Sequence, residues 1–477
     1  MINLMPGKTL MKFDRQLPFY NWLYPMKGQE LDTVTHHEFH SGMRTEGVRS
    51  RALYFHIPFC DTICTFCTLN RGLGSTGDEQ IETYVQALLK EIALKGRYAE
   101  ATSIPIRAIF FGGGTPTTLT ADQITRIGRA MREHFDLSQL QEFTFEAEVK
   151  SVTEEKCAAM RDIGVNKVRF GLQSFDPLYR ELFNITATIE QEYAAVELFK
   201  KYFEYTSFDM IYGMHGQTFE QFSRDIEYAT SLGTATMELY PISNVVTQAP
   251  LHRSYEARGL KPLSFIDKMA MTIYLNQYMR ASGFQQHNGH GYLRLPEGQR
   301  PTTPFISRDY LNLYNTHTWS YHDDELIGLG NSAISQVANH TVMNDENRAT
   351  YVKNLMENDD VKINITVGDG IPYERGIILA LPYFGWLDKS RIAWEHIPGE
   401  LTDKLALLVA EGMLEEDREE FRITELGWIW YANMMYYLSP ASDQKVLDEF
   451  TALKRRTKGL TDGDDRMLPL LPMASVR

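Results

Sequence analysis

From Arg51 onward the chain alternates between two hydrophobic rhythms. Leu53-Tyr54-Phe55-His56-Ile57 is a short run of β-formers, and behind it Ile81, Val85, Leu88 and Ile92 recur at spacings of three or four. The first pattern predicts a strand and the second an amphipathic helix. The alternation continues, with strands predicted over residues 106–111, 142–146, 167–170, 207–212 and 236–240, and helices over 121–134, 154–163, 191–203 and 219–232. The strands read as apolar on both faces, which predicts a parallel sheet covered by helices, as a closed barrel or an open partial one. Chemistry on such sheets sits on loops leaving the C-terminal strand ends. Two loops so placed stand out, one with three cysteines and one opening Gly112-Gly113-Gly114.

The rhythm changes on either side. Residues 1–50, with Pro6, Pro18, Pro25, Gly28, His36, His37 and His40, predict an irregular extension. A barrel is expected over 51–265, and a barrel extension with the substrate region over 266–370. That region opens with a helix over 265–282 and runs into the polar stretch 285–294. In the remainder, 371–477, Leu405, Leu408 and Val409 lead to Gly412, a charged hairpin over 413–423 and a helix from near Thr424 with Trp428 and Trp430. Helix, hairpin and helix resemble a winged-helix module, followed by a solvated tail at Lys454–Lys458 and Asp462–Asp465.

Composition narrows the class. The 477 residues are 43% hydrophobic and 23% charged, which excludes disorder and collagen-like repeats. Carboxylates outnumber basic residues by 62 to 48, for a formal charge of −14, so non-specific nucleic-acid or anionic-lipid binding is not expected. The winged-helix-like segment is itself acidic, which opposes phosphate contact. The greasiest stretch, 377–387, is too short for a membrane span and contains Pro382 and Gly385. Residues 1–19 hold no signal-peptide core, so the expected compartment is the cytoplasm, with reduced thiols.

Cys60-x3-Cys64-x2-Cys67 carries the strongest chemical signal; Cys157 stands apart in a predicted helix and reads as core. Zinc sites favour four ligands in paired motifs, and no second pair exists. Three thiolates in one tight loop fit an iron–sulfur cluster with one iron left open. With Tyr54-x-His56-Ile57-Pro58-Phe59 before them, Gly112-Gly113-Gly114-Thr115-Pro116-Thr117, Gly171-Leu172-Gln173-Ser174-Phe175, Asp209-x-Ile211-Tyr212-Gly213 and Gly328-Leu329-Gly330-x-Ser332-Ala333-Ile334-Ser335, the chain resembles the radical S-adenosylmethionine (SAM) enzymes. Within them it resembles the branch of oxygen-independent coproporphyrinogen dehydrogenase.

The resemblance implies a partial (β/α)6 barrel in the α/β class, a 4Fe–4S cluster on Cys60, Cys64 and Cys67, and two SAM molecules. Tyr54, Gly113, Glu146 and Ile334 would contact the cluster-bound SAM, and the glycine turn would present N–H groups to a carboxylate. Phe66, Gly114, Thr115, Gln173, Asp209 and Ser243 would hold the second. Two positions depart from the coproporphyrinogen pattern. Leu69 stands where a further cysteine is expected, and Asn184-Ile185-Thr186 where an arginine would grip the second SAM, with Arg180 only nearby.

The leading expectation is a transferase. A radical made from one SAM would draw a methyl or methylene group from the second onto an sp² carbon of an aromatic or conjugated substrate, as a methyltransferase or by cyclopropanation. Tyr240, His290 and Glu325 are the candidate bases, and Arg294 a candidate carboxylate binder. Tetrapyrrole chemistry (coproporphyrinogen decarboxylation or methylating heme ring-opening) and a non-catalytic heme chaperone are the alternatives. A flavodoxin- or ferredoxin-like electron donor is expected, with Lys8, Lys12 and Arg15 as its docking patch.

Overall fold

The computed structural model describes residues 24, 29–41, 43, 46–67, 69–242, 249–302, 313–319, 321–358, 360–368 and 370–457. Ser243, the basic patch Lys8, Lys12 and Arg15, and the acidic tail 462–465 lie outside the described residues.

One large sheet organises the chain. In chain order its strands are β1 Gln29–Thr35, β2 Ser50–Ile57, β3 Ile106–Gly113, β4 Glu142–Ala147, β5 Lys167–Gln173, β6 Tyr205–Tyr212, β7 Thr236–Pro241, β8 Phe284–Gln286, β9 Gly291–Arg294, β10 Asp324–Leu329, β11 Ile334–Val337, β12 His340–Asn344 and β13 Lys362–Val367. They lie side by side as β1-β13-β12-β11-β10-β2-β3-β4-β5-β6-β7-β9-β8. The run β2 to β7 is parallel throughout, and β10 adds to β2 in parallel. This is the expected six-strand α/β partial barrel, extended at both edges by antiparallel strands.

Several helices between the strands start where threonine supplies a cap. Thr120, Thr188 and Thr218 each accept a hydrogen bond from the residue three ahead, whose glutamine side chain returns to the cap backbone. The edge strands depart from expectation. Residues 29–35 form a strand paired with β13, and His36–His40 a short helix, so the irregular extension is ordered there.

The strands are not apolar on both faces. Leu53, Phe55, Ile109, Phe111, Phe143, Phe145, Val168, Phe170, Phe208, Met210, Met237 and Leu239 pack into the main core beneath the helices. Alternate positions on the opposite, inner face carry Tyr54, His56, Glu146, Arg169, Asp209, Glu238 and Tyr240, as the two-residue strand period requires. The sheet thus has a dry outer face and a polar inner one.

A second core belongs to the C-terminal module. Its helix Gly399–Ala410, hairpin Leu414–Glu416 with Glu420–Ile423 and third strand Trp386–Asp388 confirm the helix–hairpin order. The following helix breaks at Trp430 into Glu425–Ile429 and Tyr431–Leu438. The greasy stretch is buried here, with Ile377, Leu379 and Leu381 fully enclosed. No helix among the described residues is long and apolar enough to cross a membrane.

Candidate active site

The cysteine loop leaves the C-terminal end of β2. Arg71 shapes it by donating to the carbonyls of Cys64 (3.2 Å), Cys67 (2.6 Å) and Leu69 (2.7 Å). Burial pushes the Cys60 thiol up to about 11 and the Cys64 thiol to about 12, where the charges of Cys67 and Cys60 add to the effect. Cys67 is raised as well, chiefly by burial. Such a set becomes thiolate only when a cation compensates it. Among the described residues no three ligating side chains converge on a single ion. A cubane cluster does not ask for that, since each thiolate takes a different iron. Cys157 is buried in the helix Glu154–Asp162, as expected of core.

The glycine turn straps this loop. Gly114 N–H donates to Ile57 O (2.8 Å) and Thr115 N–H to Phe59 O (2.6 Å), while the Thr115 hydroxyl reaches Cys60 Sγ at 3.4 Å. A Cβ on Gly114 would stand 2.6 Å from Phe59 O, and one on Gly113, at φ +103°, 2.6 Å from the His56 ring. The Gly114 and Thr115 N–H groups therefore serve the cysteine loop, and the turn is not an open cradle for a carboxylate. The glycines are needed because backbone meets backbone.

Tyr54 lies on the inner face beside the stacked rings of Phe110 and Tyr314, its hydroxyl 3.0 Å from His56 Nδ1. Glu146 is at the end of β4. Burial pushes its carboxyl up to about 7, Asp209 adding to the shift while Arg169 and the Gly113 N–H oppose it. Asp209 on β6 rises to about 6, again by burial, against the pull of Arg169. Arg169 Nε donates to Asp209 at 2.8 Å and its Nη2 to the Tyr240 hydroxyl at 2.5 Å. Burial disfavours its charge, but Asp209, Tyr240, Glu238 and Glu146 keep it protonated. Sequence reasoning missed Arg169, although a cation between Val168 and Phe170 on a barrel strand signals an inward polar group.

The neighbouring residues extend this network. Glu238 lies 3.4 Å from His287 Nε2; burial opposes its charge, yet His287 and Arg169 hold it well below the usual carboxylate range. His290 packs against Tyr240 with ring centroids 4.0 Å apart. Its Nδ1 meets Tyr431 at 3.2 Å and its Nε2 meets Tyr383 at 3.3 Å, both from the C-terminal module. Burial lowers it to about 3, so it is neutral.

Three candidates lie elsewhere. Glu325 is on the outer face of β10, fully buried, paired with Arg51 Nε at 2.8 Å and accepting from Ala338 N–H. It cannot reach the inner face, where Leu326 lies beside Ala52 and Ala108. Arg294 donates to the carbonyls of Thr230 and Thr234. Arg180 is occupied with Leu172 O, Ser174 O, Ala187 O and Glu192, holding the turn around Gln173, and supplies no clamp. Gln173 is there in left-handed backbone at φ +67°. Phe66 packs on Phe183 at 5.0 Å, and Ile334 opens β11.

Residues 54–229 match the Radical SAM superfamily. The match spans β2 to β6 and the helix that follows, the stretch that carries the cysteine loop and the glycine turn. A radical SAM domain implies a 4Fe–4S cluster and SAM, and the cysteine loop fits the cluster. Over 391 residues the chain is 27% identical to the heme chaperone HemW of Lactococcus lactis, covering 80% of this chain and 95% of that one. It is 25% identical over 401 residues to anaerobilin synthase of Escherichia coli O157:H7, covering 83% and 85%. The solved coproporphyrinogen III oxidase HemN of Escherichia coli shares its fold, with a TM-score of 0.69, 21% identity and 88% and 99% coverage. These relatives overturn the leading expectation. Their names point to tetrapyrroles, not to methylation or cyclopropanation of an aromatic substrate.

Proposed function

We propose that this chain is a radical SAM enzyme acting on a tetrapyrrole of heme type. What carries the reading is the extent of the likeness to tetrapyrrole proteins, since HemW and anaerobilin synthase each align with at least 80% of the chain. Cys60, Cys64 and Cys67 would hold the cluster. Bound there, it supplies one low-potential electron for reductive cleavage of SAM to methionine and a 5′-deoxyadenosyl radical.

The protein's own residues define what can enter. Glu146, Asp209 and Glu238 face a single guanidinium, Arg169, so the inner face favours a cation such as the SAM sulfonium and ammonium groups. The same balance disfavours coproporphyrinogen, which carries a carboxylate on every ring, relative to heme, which carries fewer. The missing cysteine at Leu69 and missing arginine at Ile185 support the same preference. Tyr240, oriented by Arg169 and backed by neutral His290, is the group placed to hold or deliver a proton. Asp209 faces this inner surface beside Arg169, whereas Arg180 is held by its own turn and supplies no clamp for a second SAM.

Anaerobic incubation of the reconstituted protein with SAM, dithionite and either heme or coproporphyrinogen tests this. Formation of 5′-deoxyadenosine together with a changed heme spectrum is expected. Tight heme binding without SAM cleavage would transfer the chain to the chaperone reading, and turnover of coproporphyrinogen alone would overturn the heme preference.

SAM binding should depend on pH. Glu146 at about 7 and Asp209 at about 6 are partly protonated in the free protein, whereas a cationic ligand prefers them ionised. Binding then releases protons, so affinity rises with pH through this window and levels off above it. Equilibrium dialysis should find SAM bound roughly tenfold more tightly at pH 7.5 than at pH 5.5. A flat profile would remove these carboxylates from the site.

A further inference from the structure

Below the sheet, Glu91 of the helix Glu79–Gly96 is fully buried and holds four donors. Its Oε2 accepts from the Gly330 N–H at 2.7 Å and the Tyr351 hydroxyl at 2.6 Å. Its Oε1 accepts from Asn344 Nδ2 at 2.8 Å and Lys95 Nζ at 3.0 Å. A buried carboxylate satisfied in this way is rigid, because every displacement breaks a charge-assisted bond in a low dielectric.

The donors are not scattered. Lys95 also donates to Gly328 O, so the pair pins a carbonyl at the end of β10 and an N–H of the turn that follows. Asn344 Nδ2 bonds Gly330 O at 2.8 Å. Two turns earlier on the helix, the Tyr84 hydroxyl accepts from Asn331 N–H at 3.2 Å and donates to His56 O at 2.7 Å. Gly330 is at φ +98°, and a Cβ there would lie 2.5 Å from the Tyr84 hydroxyl and 2.6 Å from His56 O. Ser332, at φ +60°, is bonded by Asn70, whose carbonyl lies 2.8 Å from His56 Nε2. Two routes thus lock this turn to the cysteine loop: Asn70 to Ser332, and His56 through Tyr84 to Asn331.

We infer that Glu91 is a positioning residue that holds the Gly328–Ile334 turn in register with the cysteine loop and thereby sets the affinity for SAM. It touches neither cysteine nor ligand and acts through Gly330, Lys95 and Asn344. The inference rests on the reading that SAM binds beside that loop.

The test uses Glu91→Gln and, so that no buried ammonium is left unpaired, the double change E91Q/K95M. Glutamine keeps the shape but puts an NH₂ where two donors now meet an oxygen. SAM is titrated into the reduced, reconstituted protein, and binding is read from the change in the cluster's electron paramagnetic resonance signal. Expected for both variants is unchanged iron content with SAM affinity weakened at least tenfold, while cleavage at saturating SAM stays within threefold of the parent. Unchanged affinity, or loss of iron in parallel with loss of SAM binding, would overturn the inference, because the pair would then support the fold alone. If the parent signal itself fails to respond to SAM, the underlying reading fails and the role of Glu91 falls with it.

Discussion

Replacing Cys64 by alanine is expected to leave the protein colourless after anaerobic reconstitution and unable to cleave SAM. The parent should take up about four irons per chain, three held by thiolates and one open. Removing one of three ligands in a loop this short leaves no substitute: the nearest histidine, His56, has one ring nitrogen near Asn70 O and the other near the Tyr54 hydroxyl. Cys157→Ala is the control. That thiol is buried in the core beneath the sheet, pushed up to about 12 by burial, and its loss removes only packing. Iron analysis, the visible spectrum and 5′-deoxyadenosine release check both variants. Loss of iron from the Cys157 variant would overturn the ligand assignment.

The second large effect concerns stability. Arg51 and Glu325 are each fully buried and bonded at 2.8 Å on the outer face of the sheet. Arg51→Met takes the bonded guanidinium away from a fully buried carboxylate and is expected to destabilise the chain by about 3–5 kcal/mol, read from thermal or denaturant melts. Converting both partners, Arg51→Met with Glu325→Leu, should restore part of that loss, because the buried charge goes with its partner and the Ala338 N–H that loses its acceptor is the remaining cost. The double variant should keep SAM cleavage per bound cluster. Loss of cleavage in that stable variant would return Glu325 to the list of catalytic groups.

The parallel strands and their helices were legible in the sequence because each declares itself within a few residues, through period two or period three to four, and because threonine caps mark the helix starts. The cysteine loop and glycine turn were legible for the same local reason. The edge strands were not. β8, β9 and β11 to β13 are short, mix polar with apolar side chains and gain their pairing from distant partners, such as His340 with Val367. The inner-face charges were partly hidden as well. Asp209 and Glu146 stood out at strand ends, whereas Arg169 acquires meaning only once β5 lies between β4 and β6. Glu325 misled because residue type and position in a strand do not say which face the side chain takes.

The two tyrosines on His290 give the inner face a sense of direction. A neutral imidazole has one N–H and one lone pair, so of Tyr431 and Tyr383 one hydroxyl must donate and the other accept. Reversing one bond requires reversing the other. The tyrosine–imidazole–tyrosine row therefore has two mirror arrangements, and passing between them requires one tyrosine to take up a proton from beyond the row as the other gives one up. Because both tyrosines come from the C-terminal module, docking of that module decides whether the row exists at all.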